Sequence, residues 1–154
     1  MIVYRLCKST WKLDLSGRGA EITGGRWNSK GIPVLYTSSS RALCMVEIAV
    51  HTPMGSLPTD YFMVEIDIPD TCRIETIYEK DLPPNWESFA CMHVTQFLGD
   101  NFIKLNLALM LKVPSAVVQG DYNYLINPGH KDIRSIKIAN TSEFGFDRRL
   151  FEES

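Results

Sequence analysis

Apolar and polar residues alternate over several short stretches of the chain, and this pattern predicts β-strands. Residues 2–6 form the first stretch, in which Val3 and Arg5 share one face. Residues 61–68 alternate most regularly, which predicts that the even-numbered side chains face the core and that Met63 faces outward. Further strands are predicted at residues 33–37, 73–77, 113–118, 124–126 and 133–139.

One longer segment is apolar nearly all round, which predicts a buried helix. Residues 40–50 follow serines that can cap a helix N-terminus, and the segment ends before His51. Two more helices are predicted at residues 89–98 and 101–111, on either side of Gly99, and residues 8–32 are predicted to be loop-rich. Because strands dominate and helices interrupt them irregularly, the sequence predicts a single α+β domain, residues 1–154, with mixed or antiparallel sheets.

Length and composition are those of an ordinary globular protein. The 154 residues fit one domain, and 45% apolar and 22% charged residues are typical of such proteins. A net charge of −2 argues against binding to nucleic acid or to a membrane through bulk electrostatic attraction. The longest nearly apolar run, residues 105–113, is too short to span a bilayer, and no signal peptide is visible. We therefore expect a cytoplasmic protein.

The four cysteines predict neither a disulfide framework nor a metal site. Each stands alone in the sequence, without a Cys-x-x-Cys pair or a Cys/His set at zinc-ligand spacing. His93 follows Cys91 by two residues, but no second pair completes a tetrahedral set. Buried, reduced thiols and no bound metal are the expectation.

Residues 24–36 carry the strongest functional signal in the chain. A Gly-Gly pair allows a turn in which a Cβ atom would clash, and Arg26, Trp27 and Asn28 project from that turn. A guanidinium can bind phosphate, an indole can stack on a ring and an amide can recognise its edge, so the three residues together predict a site for a planar, anionic ligand. The alternative is an ordinary Gly-rich hairpin with a packed tryptophan.

Glu47 is the most informative single residue, because it lies in the apolar helix predicted at residues 40–50. An ionised carboxylate in such surroundings is costly unless it is paired and hydrogen-bonded, and the expected partners are Arg5 and Arg26. The alternative is a buried ion pair that only fixes packing. Arg5 is also unusual, since a charge in the middle of a strand either extends to solvent at a sheet edge or points into a cleft towards an anion.

Four further residues carry hydroxyl or amide groups that either structure or ligand binding can explain. Tyr36 and Ser38 lead from a strand into a helix, where Tyr36 fits a core position and Ser38 can cap the helix or bind a ligand at its N-terminus. Ser115 begins an apolar strand, where a buried hydroxyl needs a partner. Asn127 belongs to an Asn-Pro-Gly turn signal, which gives it a structural explanation.

Several blocks, in register along nearly the whole chain, resemble the RES domain, the toxin half of bacterial RES–Xre toxin–antitoxin pairs. The matching residues are Tyr4-Arg5, Gly24-Gly25-Arg26-Trp27-Asn28 with Gly31, Pro33-Val34 and Tyr36, Ala42 with Glu47, Val113-Pro114-Ser115, Asn123-Tyr124-Leu125-Ile126-Asn127-Pro128 with His130, and Phe146-Asp147 with Arg149-Leu150. The family is named after an arginine, a glutamate and a serine. The arginine corresponds to Arg5 or Arg26, and the other two correspond to Glu47 and Ser115. One departure is Gln119-Gly120-Asp121, where relatives often carry a proline or a glutamate.

The resemblance implies a fold similar to that of the ADP-ribosyltransferase toxins and cleavage of NAD at the nicotinamide–ribose bond. RES toxins deplete cellular NAD by hydrolysis or phosphorolysis, and some members ADP-ribosylate a protein target. NAD is then a substrate, and no cofactor is implied. Glu47 would stabilise the cationic ribose, with Arg5 and Tyr36 as the other catalytic residues. The residues implied to bind NAD are Arg26, Trp27, Asn28, Ser38, Ser115 and Asn127.

A protein partner is also implied by the resemblance: an Xre-type helix-turn-helix antitoxin that blocks the cleft, with a toxin dimer possible within the complex. Direct binding to nucleic acid or to a membrane is not expected. Three alternatives are open: a catalytically silent antitoxin-binding module, a serine hydrolase using Ser115, His130 and Asp132, and a ribonuclease toxin. The absence of a Gly-x-Ser-x-Gly motif at Ser115 argues against the second, and the negative net charge argues against the third.

Overall fold

Seven β-strands and three α-helices make up the fold of the computed structural model, which describes residues 1–152. The strands are β1 (Ile2–Lys8), β2 (Leu35–Ser38), β3 (Tyr61–Asp67), β4 (Ile74–Thr76), β5 (Met110–Pro114), β6 (Tyr122–Ile126) and β7 (Lys137–Phe144). The helices are α1 (Arg18–Thr23), α2 (Arg41–Ala49) and α3 (Met92–Leu105), and short 3-10 turns lie at Ser9–Trp11, Glu79–Asp81, Phe89–Cys91, Lys131–Ser135 and Arg148–Leu150.

The strands of residues 1–152 join one sheet in the order β4-β5-β6-β2-β1-β3-β7. Neighbouring strands are antiparallel except for β4 and β5, which are parallel because the chain crosses over through α3 between them. The predicted α+β class with a mixed sheet is therefore confirmed.

Apolar side chains cover both faces of the sheet, because successive residues of a strand point to opposite sides. One face carries a buried cluster to which β1, β2, β3, β5 and β6 all contribute. The other face carries two separate clusters, one beneath α3 and one beneath α2. The Trp27 cluster comprises Trp27, Val34, Trp86, Phe102, Ala108, Leu111, Val113 and Leu125, and the Leu6 cluster comprises Leu6, Cys44, Met63, Phe146 and Phe151.

The sheet opens between β1 and β2. Their register contains a single pair, Tyr4 opposite Ser38, whereas β1 pairs with β3 along its whole length. Arg5 lies just beyond this paired position, where the two strands diverge instead of continuing a ladder. Arg5 lines the cleft described below at this point, although its strand face is the one that carries the buried Val3.

The two helices predicted at residues 89–98 and 101–111 are instead the single helix α3. Gly99 lies inside this helix and does not interrupt it. A glycine is needed there because the main chain of Trp27 occupies the space in which a side chain at residue 99 would lie. A Cβ atom added to Gly99 would be 1.7 Å from the Trp27 carbonyl oxygen. Asn106 then ends the helix in the left-handed conformation, with φ of 52°, and the apolar residues that follow lead into β5.

Several strand boundaries also differ from the prediction, and hydrogen bonds explain two of the differences. The strand predicted at residues 113–118 ends at Pro114, because the Ser115 hydroxyl accepts hydrogen bonds from the N–H groups two and three residues later and turns the chain. The last strand begins at Lys137 rather than at residue 133. The residues before it form a 3-10 turn that His130 caps through Nδ1.

Met63 is fully buried, which corrects the prediction that it faces outward. Alternation predicted an exposed second face for β3, but α2 and Phe146 cover that face with the Leu6 cluster. Within the loop-rich segment 8–32, the structure adds the short helix α1.

Candidate active site

A cleft of about 700 Å³ opens between the Trp27 cluster and the Leu6 cluster, on the sheet face that both cover. Its volume falls within the range of small-molecule sites. Six predicted site residues line the cleft: Arg5, Arg26, Trp27, Tyr36, Ser38 and Glu47. The other three predicted site residues, Asn28, Ser115 and Asn127, are not part of its lining.

Glu47 is half-buried on α2, and one oxygen of its carboxylate receives two hydrogen bonds. Oε1 accepts from Ser115 Oγ at 2.9 Å and from Asn123 Nδ2 at 2.6 Å. Oε2 accepts no hydrogen bond within residues 1–152, and no side-chain oxygen or nitrogen of that range is both buried and unpaired. Oε2 is therefore accessible from the cleft that Glu47 lines.

The partners of Glu47 differ from those predicted. No ion pair joins Glu47 to Arg5 or Arg26 in the part of the chain that the structure describes. Neutral donors from Ser115 and Asn123 compensate the half-buried carboxylate instead. Glu47, Arg5 and Arg26 thus line the same cleft without forming ion pairs with one another.

Arg5 and Arg26 each use one nitrogen to anchor the chain. Arg5 Nη1 donates to the carbonyls of Trp11 at 3.1 Å and Asp14 at 2.6 Å. Arg26 Nη1 donates to the carbonyl of Trp86 at 3.2 Å. Because a guanidinium carries five N–H groups, both side chains can bind an anion while they hold these loops.

Asn123 belongs to the site, although no role was predicted for it from the sequence. Its Oδ1 accepts from Ser38 Oγ at 2.6 Å, so hydrogen bonds run from Ser38 through Asn123 to Glu47, which Ser115 also supports. The register of β2 and β6 places Ser38 opposite Asn123. The alternation of the strand could have identified Asn123 as a site residue. It lies two residues before the buried Leu125 and therefore shares the face of Leu125.

Helix α3 holds the Gly-rich loop by its main chain. Thr95 Oγ1 donates to the carbonyl of Arg26 at 2.6 Å, and Asp100 Oδ1 accepts from the N–H of Ser29 at 2.9 Å. Both α3 side chains are buried. These contacts fix the point from which the Arg26 side chain enters the cleft.

Trp27 and Asn28 mainly stabilise the fold of the loop. The Trp27 indole is 3% exposed and packs against Trp86 with ring centroids 5.9 Å apart, as the packed-tryptophan alternative predicts. Asn28 is fully buried, and its Nδ2 donates to the carbonyls of Ala20 at 2.8 Å and Ile32 at 2.9 Å. The Asn28 amide therefore closes the loop rather than facing a ligand.

Tyr36 connects the Gly-rich loop to the cleft. Its hydroxyl donates to Asn28 Oδ1 at 2.8 Å and accepts from the N–H of Trp27 at 2.9 Å. Burial raises the pKa of Tyr36, and burial raises the pKa of Cys44, another residue of the cleft wall, to about 11. Both groups stay protonated at neutral pH, so Tyr36 offers a ligand its ring rather than a charge.

Asn127 lies outside the cleft for a structural reason. Its Nδ2 donates to Asn106 Oδ1 at 3.0 Å, and its Oδ1 accepts from the N–H of Gly129 at 2.9 Å. The side chain is buried and ties the end of α3 to the turn after β6. This is the turn role that its Asn-Pro-Gly context offers.

The serine-hydrolase alternative has no assembled triad in residues 1–152. Ser115 is buried, and its hydroxyl donates to Glu47. His130 accepts from the N–H of Asp132 through Nδ1 and forms no hydrogen bond with Ser115. Ser115 therefore serves as a support for Glu47 in this fold.

The structure also bears on disulfides, metal ligands and membrane-spanning helices. Its four cysteines are free thiols. Among residues 1–152, no three His, Cys, Asp or Glu side chains lie in a group that could hold a metal ion. No helix in that range has both the length and the apolar character needed to cross a membrane.

Known proteins resemble this chain along most of its length. The family model described as RES domain matches residues 2–147. The Prs ADP-ribosylating toxin of Sphingobium sp. (strain YBL2) is 37% identical over 143 residues, which cover 92% of this chain and 89% of the relative. Toxin Res of Photorhabdus laumondii subsp. laumondii is 34% identical over 152 residues, which cover 97% of each chain.

The same fold occurs in a solved structure, the crystal structure of the M. tuberculosis MbcT-MbcA toxin-antitoxin complex. The match has a TM-score of 0.75 at 20% sequence identity and covers 97% of this chain and 86% of that chain. At this identity the similarity shows a shared fold. Since the family model matches nearly the whole sequence, the chain belongs to the RES domain family.

Proposed function

We propose that the protein is the toxin of a toxin–antitoxin pair and that it cleaves NAD at the bond between nicotinamide and ribose. The observation that carries this proposal is the Glu47 carboxylate, which is held through Oε1 and leaves Oε2 accessible to a cleft that two arginines also line. The names of two relatives, Toxin Res and Prs ADP-ribosylating toxin, support it.

The negative charge of Glu47 suits a reaction in which positive charge develops on the ribose. Breaking the glycosidic bond passes through an oxocarbenium-like state, as in glycoside hydrolysis. The electron pair of that bond leaves with nicotinamide, which departs as a neutral base and needs no proton from an acid. Because Ser115 and Asn123 already hold the carboxylate, little reorganisation is required as the charge develops.

The cationic residues of the cleft suit the anionic part of the same substrate. Arg5 and Arg26 would bind the pyrophosphate of NAD through the N–H groups that the main chain does not use. The ring of Tyr36 would contact nicotinamide or ribose. In this proposal NAD is the substrate, and the reaction requires no resident cofactor or metal.

The acceptor of ADP-ribose distinguishes two forms of the reaction. Transfer to water or phosphate depletes NAD, whereas transfer to a protein side chain modifies a target. The second form is favoured by the name of the Sphingobium relative, an ADP-ribosylating toxin. Both forms begin with the same bond cleavage at the same carboxylate.

The proposal includes a protein partner. One relative of known structure was solved as a toxin-antitoxin complex, which supports an antitoxin for this chain as well. We propose an Xre-type helix-turn-helix antitoxin that covers the cleft in the cytoplasm, with two toxin copies in the complex.

Replacement of Glu47 by glutamine tests the proposed reaction. Glu47→Gln keeps an Oε1 acceptor for Ser115 and Asn123 but removes the negative charge, so the fold should survive. We expect the rate of nicotinamide release from NAD to fall by about 10²- to 10³-fold, the usual loss when one preorganised electrostatic group is removed from an active site. Chromatography of reactions with purified protein measures nicotinamide, and thermal unfolding verifies the fold.

Glu79→Gln is the matched control. Glu79 is exposed in the 3-10 turn Glu79–Asp81 and does not line the cleft, so this variant should release nicotinamide at the wild-type rate. Wild-type release by Glu47→Gln would show that the carboxylate is not catalytic. No release by the wild-type protein, even with phosphate and a cell extract added as acceptors, would favour the silent antitoxin-binding module.

A further inference from the structure

His51 lines the same cleft as Glu47, one helical turn further along the chain. Its N–H donates to the carbonyl of Ile48 at 3.2 Å, so a last turn extends α2 beyond Ala49. A separation of four residues places two helical side chains on one face, with a rise of about 6 Å between them. His51 is exposed and Glu47 is half-buried, so solvent water has freer access to His51 than to Glu47.

Among the residues that line the cleft, His51 carries the imidazole, the side chain that most often serves as a general base in enzymes. Burial raises the pKa of Tyr36 and Tyr61 and raises that of Cys44 to about 11, so these three groups keep their protons. The two arginines are permanent cations. The charge of Glu47 is needed opposite the cationic ribose, which leaves the imidazole for proton transfer.

We propose that His51 is the general base that accepts a proton from the water molecule attacking the ribose. This inference rests on the proposed cleavage of NAD. As the bond between C1′ of the ribose and the nicotinamide nitrogen breaks, its electron pair leaves with nicotinamide. The water oxygen forms a bond to C1′, and a water proton passes to the imidazole, which then releases it to solvent. The products are nicotinamide, ADP-ribose and one proton.

This role makes His51 a determinant of the acceptor. Water is a weak nucleophile, and a positioned base typically accelerates its attack by about 10²- to 10⁴-fold. A phosphate dianion already carries negative oxygens and attacks without giving up a proton. Loss of the imidazole should therefore slow hydrolysis and leave phosphorolysis near its wild-type rate.

The test compares the products formed by His51→Gln and by the wild-type protein, with inorganic phosphate present and absent. Chromatography with mass spectrometry quantifies nicotinamide, ADP-ribose and phosphorylated ADP-ribose. We expect ADP-ribose formation to fall by about 10²-fold, and the ratio of phosphorylated to free ADP-ribose to rise by a similar factor. A residue with a merely structural role would lower both products together and leave this ratio unchanged.

His93→Gln is the matched control, because His93 is also exposed but lies on α3, outside the cleft lining. Its product ratio should equal that of the wild type. A second variant, His51→Asn, should reproduce the effect of His51→Gln.

Three outcomes overturn the role of His51 while the proposed function stands. They are an unchanged product ratio, a parallel loss of both products in both His51 variants, and a wild-type protein that releases nicotinamide but forms no ADP-ribose from water. A wild-type protein that releases no nicotinamide, even with phosphate and a cell extract added as acceptors, instead refutes the proposed function itself.

Discussion

The hydrogen bonds around Glu47 determine what its carboxylate can do. Ser115 and Asn123 both donate to Oε1, and Asn123 accepts in turn from Ser38. These donors are neutral, so they fix the position of the carboxylate without cancelling its charge. An ion pair with Arg5 would have reduced the negative charge available to a cationic ribose.

Asn123→Ala should weaken this arrangement while the charge remains. The substitution removes the 2.6 Å hydrogen bond to Glu47, and a hydrogen bond to a charged group contributes about 1.5–3 kcal/mol. We therefore expect kcat/KM for NAD cleavage to fall by about 10- to 100-fold, measured from initial rates of nicotinamide release. Asn140→Ala is the matched control, because Asn140 lies on the edge strand β7, outside the cleft lining, and its amide donates to Glu65 of β3. Equal rates for Asn123→Ala and the wild type would mean that Ser115 alone positions the carboxylate.

Charge was a better sequence signal than amide chemistry at the scale of single residues. Glu47 and Arg5 could be placed in a cleft from the sequence, because a charge in an apolar segment is costly and requires compensation. Arg26 could be placed there because it projects from a Gly-rich turn beside an indole and an amide. The sequence could not show whether Asn28 and Asn127 bind a ligand or stabilise a turn. An asparagine in a turn satisfies main-chain groups with the same atoms that it would present to a ligand.

Secondary-structure elements were predictable where their pattern is local. The alternation in β1 and β3 identified both strands, since it depends only on neighbouring residues. The boundaries of α3 and β5 depended instead on contacts that no local pattern contains. Gly99 lowers helix propensity and so predicted a break, but the main chain of Trp27 occupies the space beside it. The hydroxyl of Ser115 likewise ends β5 early.

Gly99→Ala tests the packing of α3 on the Gly-rich loop. In an unconstrained helix interior this change stabilises a protein by about 1 kcal/mol. Here the new Cβ would lie 1.7 Å from the carbonyl oxygen of Trp27 and 2.8 Å from its carbonyl carbon, so the main chain must move. Overpacking of this kind costs about 1–3 kcal/mol, and we expect the free energy of unfolding to fall by about 2 kcal/mol.

Urea denaturation measures this change against Gly19→Ala, the matched helical control in α1. No heavy atom lies within 4 Å of a Cβ built on Gly19, so this variant should be as stable as the wild type or more stable by up to about 1 kcal/mol. A gain in stability for Gly99→Ala would contradict the close approach of α3 to the Trp27 main chain.

The whole sheet determines where the cleft forms and which groups line it. The order β4-β5-β6-β2-β1-β3-β7 pairs strands that are distant in the chain, so the gap between β1 and β2 could not be predicted from local alternation. Walls built from two apolar clusters bury the ionisable groups Tyr36 and Cys44 beside the cleft. The free energy of unfolding therefore depends on whether Tyr36 and Cys44 are protonated.

Alkaline pH should destabilise the protein through these groups. Burial raises the pKa of Cys44 from 9.0 to about 11, so the unfolded chain loses this proton at a lower pH than the folded protein. The stabilising contribution of the protonated thiol is complete below pH 9 and is lost as the pH rises to about 11. At about 1.36 kcal/mol per unit of pKa, the loss amounts to about 2–3 kcal/mol.

Cys44→Ala separates this effect from other causes of alkaline unfolding. The variant has no proton to lose at this position, so its free energy of unfolding, measured by urea denaturation at matched pH values, should fall less steeply than that of the wild type between pH 9 and pH 11. Tyr36→Phe should show the corresponding difference only above pH 10, because burial raises the pKa of Tyr36 from that value. If the free energy of unfolding falls equally steeply with pH for Cys44→Ala and the wild type, the thiol ionises as easily in the folded protein as in the unfolded chain. That result would contradict its burial in the cleft wall.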